Sequence, residues 1–243
     1  MNGFAHGVSA LRRPRRPSYS RAVALGGATL VALAAFGYSA SVVGNFPGEV
    51  AISSWVQSWR SPWLDAAMKA VSAPGFGVLP MVIVASAGAF LYVTRRRKES
   101  TCLLGATVMA WGLVSALKAL VGRPRPSGTA LDTYADLGGF SFPSGHVLHY
   151  VVFLGTLVLL STWDMRPSLT KKLIHAGLGV ALVAVGASRV YLGAHWSADV
   201  VAGYAFGAVV VAAAVGFWRL WRRQDSKRGT ELPNLMAASP ELS

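Results

Sequence analysis

Acidic residues and cysteines are scarce in this chain. Its 243 residues include 10 Asp and Glu against 23 Lys and Arg, and a single cysteine. One thiol excludes an internal disulfide. Cys102 lies in an apolar run and is expected simply to pack there. Charged residues of either sign make up only 14% of the chain, while 53% is hydrophobic. The mean hydropathy is +0.45. These values exclude an ordinary soluble domain and suit a polytopic membrane protein. Internal repeats and low-complexity domains are absent from the sequence. The net charge of +13 raises the question of nucleic acid. No basic stripe with interleaved aromatics accompanies it, so nucleic-acid binding is not expected.

What is present is a set of long apolar runs. A helix crossing hydrocarbon needs about 20 apolar residues. Six stretches approach that length: residues 25–43, 76–94, 101–121, 147–163, 173–188 and 200–218. The fourth and fifth are short as written and need their flanking polar residues to complete the helices. The first is preceded by basic residues but lacks a small-residue cleavage signal, so it reads as a retained span. The expectation is an all-α membrane protein, a six-span bundle over residues 22–220. Tails over 1–21 and 221–243 are expected to be mobile.

The basic residues divide unevenly between the two sides of such a bundle. Arg12, Arg13, Arg15, Arg16 and Arg21 precede the first span, and Arg95, Arg96, Arg97 and Lys98 follow the second. Arg166, Lys171 and Lys172 follow the fourth; Arg219, Arg222, Arg223, Lys227 and Arg228 follow the sixth. All fall on one side, which the positive-inside rule makes cytoplasmic. Both termini are therefore expected in the cytoplasm of a multi-pass plasma-membrane protein. On the outer side, segment 49–69 carries Trp55, Trp59 and Trp63 in an amphipathic pattern. It reads foremost as an interfacial aromatic anchor, with a wall guiding a lipid as the alternative. Gly203 and Gly207 form a GxxxG, expected to pack helices within the chain.

Three polar constellations fall on the outer side. Lys118 lies within an apolar run, where an ionisable residue is costly and marks either function or snorkelling to the interface. Arg125 stands between Pro124 and Pro126, which end the helix and stiffen the loop. Arg123 reads as a solvated loop charge. In the second constellation, Pro143-Ser144-Gly145-His146 opens a helix. Ser144 suits an N-cap, Gly145 permits close backbone approach, and a helix N-terminus attracts anions. His146 then stands where it could protonate a leaving oxygen. His149, three residues on, reads as packing or support. In the third, Ser188-Arg189 precedes His195 and Asp199. With a helix starting near His195, the carboxylate would sit on the same face and hold the imidazole tautomer, freeing the other nitrogen as a nucleophile. Arg189 supplies a donor fork for phosphate.

Each constellation alone admits a structural role. Together, cations, a nucleophile and an acid on one membrane face suit phosphoryl transfer. A cation-rich site with few acids offers little to a divalent metal, so neither metal nor cofactor is expected.

These residues resemble the type-2 phosphatidic acid phosphatase superfamily, whose signatures are K-x6-R-P, P-S-G-H and S-R-x5-H-x3-D. Here they read Lys118…Arg125-Pro126, Pro143-Ser144-Gly145-His146 and Ser188-Arg189…His195…Asp199. The resemblance implies that His195 attacks phosphorus, Asp199 orients it, and His146 protonates the leaving alcohol. It further implies that Lys118, Arg125, Ser144, Gly145 and Arg189 bind the phosphoryl group. The expected activity is metal-independent hydrolysis of a lipid phosphate: phosphatidic acid, phosphatidylglycerol phosphate or a polyprenyl diphosphate. Lipid-to-acceptor phosphotransfer and non-catalytic lipid binding or transport are the alternatives. Loop 127–142 is expected to shape the substrate choice. Asp132 and Asp136 would repel a second phosphate if they face the site, and Tyr134, Phe140 and Phe142 could meet lipid.

Overall fold

The computed structural model describes the backbone of residues 19–127, 131–133 and 138–237, and side chains within 25–127, 131–133 and 138–225. The basic residues at 12–21, with Lys227 and Arg228, therefore lie outside the described side chains, as do Tyr134 and Asp136. The described residues are all-helical, with no strand. In order they are α1 (Tyr19–Val43), α2 (Glu49–Gln57), α3 (Pro62–Ser72), a 3-10 turn (Ala73–Gly75), α4 (Leu79–Val93), α5 (Arg97–Val121), α6 (Gly145–Thr162), α7 (Leu169–Tyr191) and α8 (Ser197–Ala237). Five helices are long and apolar enough to span a membrane alone: α1, α5, α6, α7 and α8. The bent pair α3 and α4, broken by 60°, makes a sixth span if counted together. Pro74, Gly75 and Gly77 punctuate that break. The helix of α8 continues to Ala237, well past the boundary expected near residue 220, so the segment expected to be a mobile tail begins as helix.

The centre of the bundle is α6, packed by α5, α7 and α8. Val147, Leu148, Val152 and Leu160 of α6 are almost fully buried, alongside Ala110, Val185, Val210 and Trp218. α6 and α8 approach closely because Gly203 and Gly207 lie at the crossing. A Cβ on Gly203 would come within 2.9 Å of the Ser144 carbonyl oxygen, and one on Gly207 within 2.8 Å of Val151 Cβ. The GxxxG thus packs helices inside the chain. Outward-facing positions remain apolar: Val93, Phe90, Val180 and Val183 are each about two-thirds exposed or more. In water such a surface would aggregate; in lipid it costs nothing.

The two ends of the bundle differ in chemistry. At one end Arg96 reaches the Leu160 carbonyl at 2.9 Å, Arg222 pairs with Asp164, and Arg219 covers the Trp163 ring at 4.0 Å. The other end gathers the C-termini of α5 and α7 with the N-termini of α6 and α8, and with them all three motifs.

Candidate active site

His195 is the centre of the site. A helix was expected to begin near it; α8 begins two residues on, at Ser197, and His195 lies in the loop just ahead. The reason is local. The Asp199 carboxylate accepts the Trp196 N–H at 3.0 Å, so an acid at the third helical position caps the residue before Ser197. That leaves His195 outside, 3% exposed, with Nδ1 turned toward Asp199 Oδ2 at 3.6 Å. This separation exceeds a hydrogen bond. The hydroxyl of Ser141 fills the space: it donates to Asp199 Oδ2 and lies 3.4 Å from His195 Nδ1. On the opposite side, Nε2 faces Arg125 Nη1 at 3.4 Å. The same Arg125 nitrogen donates to the Ala194 carbonyl at 2.8 Å. Burial pulls the His195 imidazole down to about 4; Asp199 opposes this, and Arg125 and Arg189 reinforce it.

The other cations converge around this ring. Lys118, Arg125 and Arg189 are near enough to repel one another electrostatically. Lys118 Nζ donates to the Phe140 carbonyl, and Arg189 Nη1 to Ser72 Oγ, leaving Arg189 Nε and Arg125 Nε buried without a protein partner. Burial depresses the Arg125 guanidinium below its ordinary value. Ser144 does occupy the N-cap position of α6, but its side chain makes no cap bond. Its Oγ is buried and unpartnered, while its N–H donates to the Asp199 carbonyl at 2.9 Å. The capping role expected of the hydroxyl is therefore not the one observed. The next N–H groups, from Gly145 onward, lack intrahelical acceptors by position. These unpaired donors around His195 form the chemical complement of a phosphoryl group.

His146 stands one side of that space. The 3-10 turn between α3 and α4 presses against it: a Cβ on Gly75 would lie 2.2 Å from His146 Cδ2. Phe76 meets the ring edge-on, with centroids 4.4 Å apart, and carries Arg189 over its face at 5.2 Å. Nε2 of His146 is buried without a partner. Beyond it, an apolar cavity of about 220 Å³ opens between α4, α5 and α6.

Arg123 overturns its expected role. It is not a solvated loop charge but 1% exposed. Nη1 donates to Asp199 Oδ1 at 2.7 Å, Nη2 to Glu49, and Nε to the Gly44 carbonyl at 2.7 Å. Glu49 also accepts Phe46 N–H at 2.7 Å and Ala198 N–H at 3.0 Å. One guanidinium thus joins two buried carboxylates and ties the α1–α2 connection to the start of α8. Glu49, Arg123 and Ser141 were all missed as site residues. The side-chain bonds that join Arg123 to Glu49, and Arg123 and Ser141 to Asp199, span 58 to 76 residues of chain, beyond the reach of any spacing rule.

Segment 49–72 is also more than an anchor. Trp55, Trp59 and Trp63 are 64–72% exposed, as an interfacial belt requires. Its buried side supplies Glu49 and Ser72 to the site. Asp132 is engaged by Arg60 at 2.9 Å rather than turned toward the phosphate donors. Phe142 does not meet lipid: it is fully buried, edge-on to Phe36 at 5.5 Å. Phe140 is 45% exposed.

A helical bundle that gathers these histidines and cations at one end has the site of an integral-membrane phosphatase. Comparison with known proteins agrees. Residues 99–223 match the model of the PAP2 superfamily. Phosphatidylglycerophosphatase B of Bacillus subtilis is 32% identical over 69% of this chain and 81% of its own. Decaprenylphosphoryl-5-phosphoribose phosphatase of Mycobacterium tuberculosis is 31% identical over 68% of this chain and 88% of its own. The solved structure of a transmembrane PAP2-type phosphatidylglycerolphosphate phosphatase from Bacillus subtilis superposes with a TM-score of 0.67 and 26% identity, covering 77% of this chain and 94% of that one. The Aquifex aeolicus LpxE structure, at 23% identity and a TM-score of 0.57, shares the fold. The chain belongs to the PAP2 superfamily.

Proposed function

We propose that this protein hydrolyses a lipid phosphate through a phosphohistidine. The observation that carries this reading is the two-sided arrangement at the motif end: His195 among unpaired cationic donors, and His146 at the mouth of an apolar cavity. His195 Nε2 attacks phosphorus while Asp199, acting with Ser141, stabilises the positive ring that results. Lys118, Arg125, Arg189, Ser144 Oγ and the Gly145 N–H bind the phosphoryl oxygens. His146 gives its proton to the leaving alcohol, which departs with its lipid into the cavity, and then takes a proton from the water that releases phosphate. Atoms balance: a P–N bond replaces the P–O ester bond, and water then replaces the imidazole. The charge on the transferred group is met by side-chain cations, so no metal is assigned a role.

The site lies on the outer face of the plasma membrane, with both termini cytoplasmic, as the positive-inside distribution supports. Candidate substrates are those of the relatives, phosphatidylglycerol phosphate foremost. The test is phosphate release from a panel of lipid phosphates in detergent micelles, with excess chelator and no added acceptor. Release of inorganic phosphate supports hydrolysis. Turnover only on addition of a second alcohol would make the protein a phosphotransferase; none with either would overturn the catalytic reading.

A further inference from the structure

The cavity beyond His146 is lined by Ile83, Val84, Trp111, Phe153 and Leu154, and by polar groups the mechanism does not use, among them His149. His149 lies three residues after His146, on the same side of α6, at a typical Cβ separation of about 5–6 Å. Its Nε2 is buried and has no partner in the protein. The Gly145 carbonyl lies one turn back along the same helix face. A neutral imidazole protonated on Nδ1 holds a lone pair on Nε2, the tautomer in which it accepts from a hydroxyl. Trp111 packs edge-on to the ring at 5.9 Å and sets its plane. Two other polar side chains of the cavity are already engaged: Thr107 donates to the Leu103 carbonyl at 2.9 Å, and Tyr150 to the Val71 carbonyl at 3.3 Å. Among the described residues, the cavity therefore presents a proton acceptor one helical turn past the acid. It is on the His146 side, where the proposed mechanism places the leaving alcohol.

We propose that His149 Nε2 accepts a hydrogen bond from a free hydroxyl of the leaving alcohol, one or two carbons from the phosphoester. The substrate class this selects is a lipid whose phosphorylated alcohol is a polyol, such as a glycerol or sugar headgroup. A diacylglycerol phosphate has its neighbouring oxygens esterified, and a polyprenyl phosphate has none; both leave Nε2 buried and unpaired. A site built to bond a substrate hydroxyl discriminates against the analogue lacking it, because its own polar group is then stranded. This inference rests on the phosphatase reading and deepens it.

The test uses the full-length protein in micelles and three substrates: phosphatidylglycerol phosphate, its analogue lacking the headgroup hydroxyl, and phosphatidic acid. kcat/KM for phosphate release is measured for the wild type, His149→Phe and His149→Gln. The wild type is expected to favour the hydroxyl substrate over its deoxy analogue by about 10-fold or more. His149→Phe should bring that ratio to within about twofold of unity, and His149→Gln, which keeps an acceptor oxygen, should retain part of it. A wild-type ratio near unity overturns the proposal without reference to any variant, while leaving hydrolysis itself intact. So does a ratio that survives in His149→Phe. Absence of phosphate release from all three substrates would instead refute the phosphatase reading, and this inference with it.

Discussion

Replacing Arg123 with leucine should damage both stability and turnover. Among the described residues, the guanidinium is the sole cation bonded to two carboxylates that are themselves 0% and 2% exposed, Asp199 and Glu49. Leucine fills part of the volume but strands both charges. Breaking a buried ion pair by removing one partner costs about 3–5 kcal/mol, roughly 150- to 5,000-fold in the folding equilibrium constant. The chain can relieve the strain by protonating a carboxylate. If Asp199 takes the proton, it no longer stabilises the positively charged His195 ring, and kcat falls by roughly 10²-fold or more. The assay pairs reversible unfolding in mixed micelles with phosphate release. Adding Glu49→Gln removes one of the stranded charges, so the double variant should be less destabilised than the two single effects summed, by about 1–3 kcal/mol. Arg123→Lys keeps the charge but not the fork, and should fall between. A leucine variant within 1 kcal/mol of wild type and within threefold in kcat would refute the network and return Arg123 to the solvated role its loop position suggests.

Other consequences follow from named contacts. Gly75→Ala places a methyl 2.2 Å from His146 Cδ2. The ring must swing away, and steady-state kinetics should show kcat falling roughly 10–100-fold. His195 should titrate near 4 rather than near 6.5. Its folded value is depressed, so the neutral nucleophile persists as pH falls until that lower value is reached. Imidazole ¹⁵N shifts, with His195→Asn to assign the resonance, measure this directly, and a midpoint at 6.5 would contradict the burial argument. Gly207→Leu forces a side chain into Val151 at the α6–α8 crossing. Overpacking of this kind should cost about 1–3 kcal/mol in the same unfolding assay.

The helical bundle was legible because lipid demands long apolar runs, and those runs are plain in the sequence. The motif residues were legible because their order and spacings are distinctive. The environment that makes them a site was not. Arg123 sits in a Pro-rich loop that looks wet, and only the fold brings Glu49 and Asp199 to it. Ser141 precedes the motif by too little to look separate from its loop, yet it stands between His195 and Asp199. Phe142 looked like a lipid contact from its position before Pro143; packing with Phe36 and Phe206 buries it instead. The start of α8 falls near His195 as expected, at Ser197, and Asp199 serves two purposes there, helix capping and contact with the histidine network. The α3–α4 break did leave a trace, in the Ala-Pro-Gly-Phe-Gly run that begins at Ala73. The apolar run expected as the second span begins at Phe76, inside that break, and hydropathy gave no sign that Gly75 and Phe76 pack on His146.

The central claim is a covalent intermediate on His195. It is tested by rapid quenching during turnover of a lipid phosphate carrying ³²P in the transferred group, followed by peptide mapping. The account predicts an acid-labile, base-stable label on the peptide containing His195, absent from His195→Ala. Turnover with no trapped label, or a label that persists in His195→Ala, would contradict it.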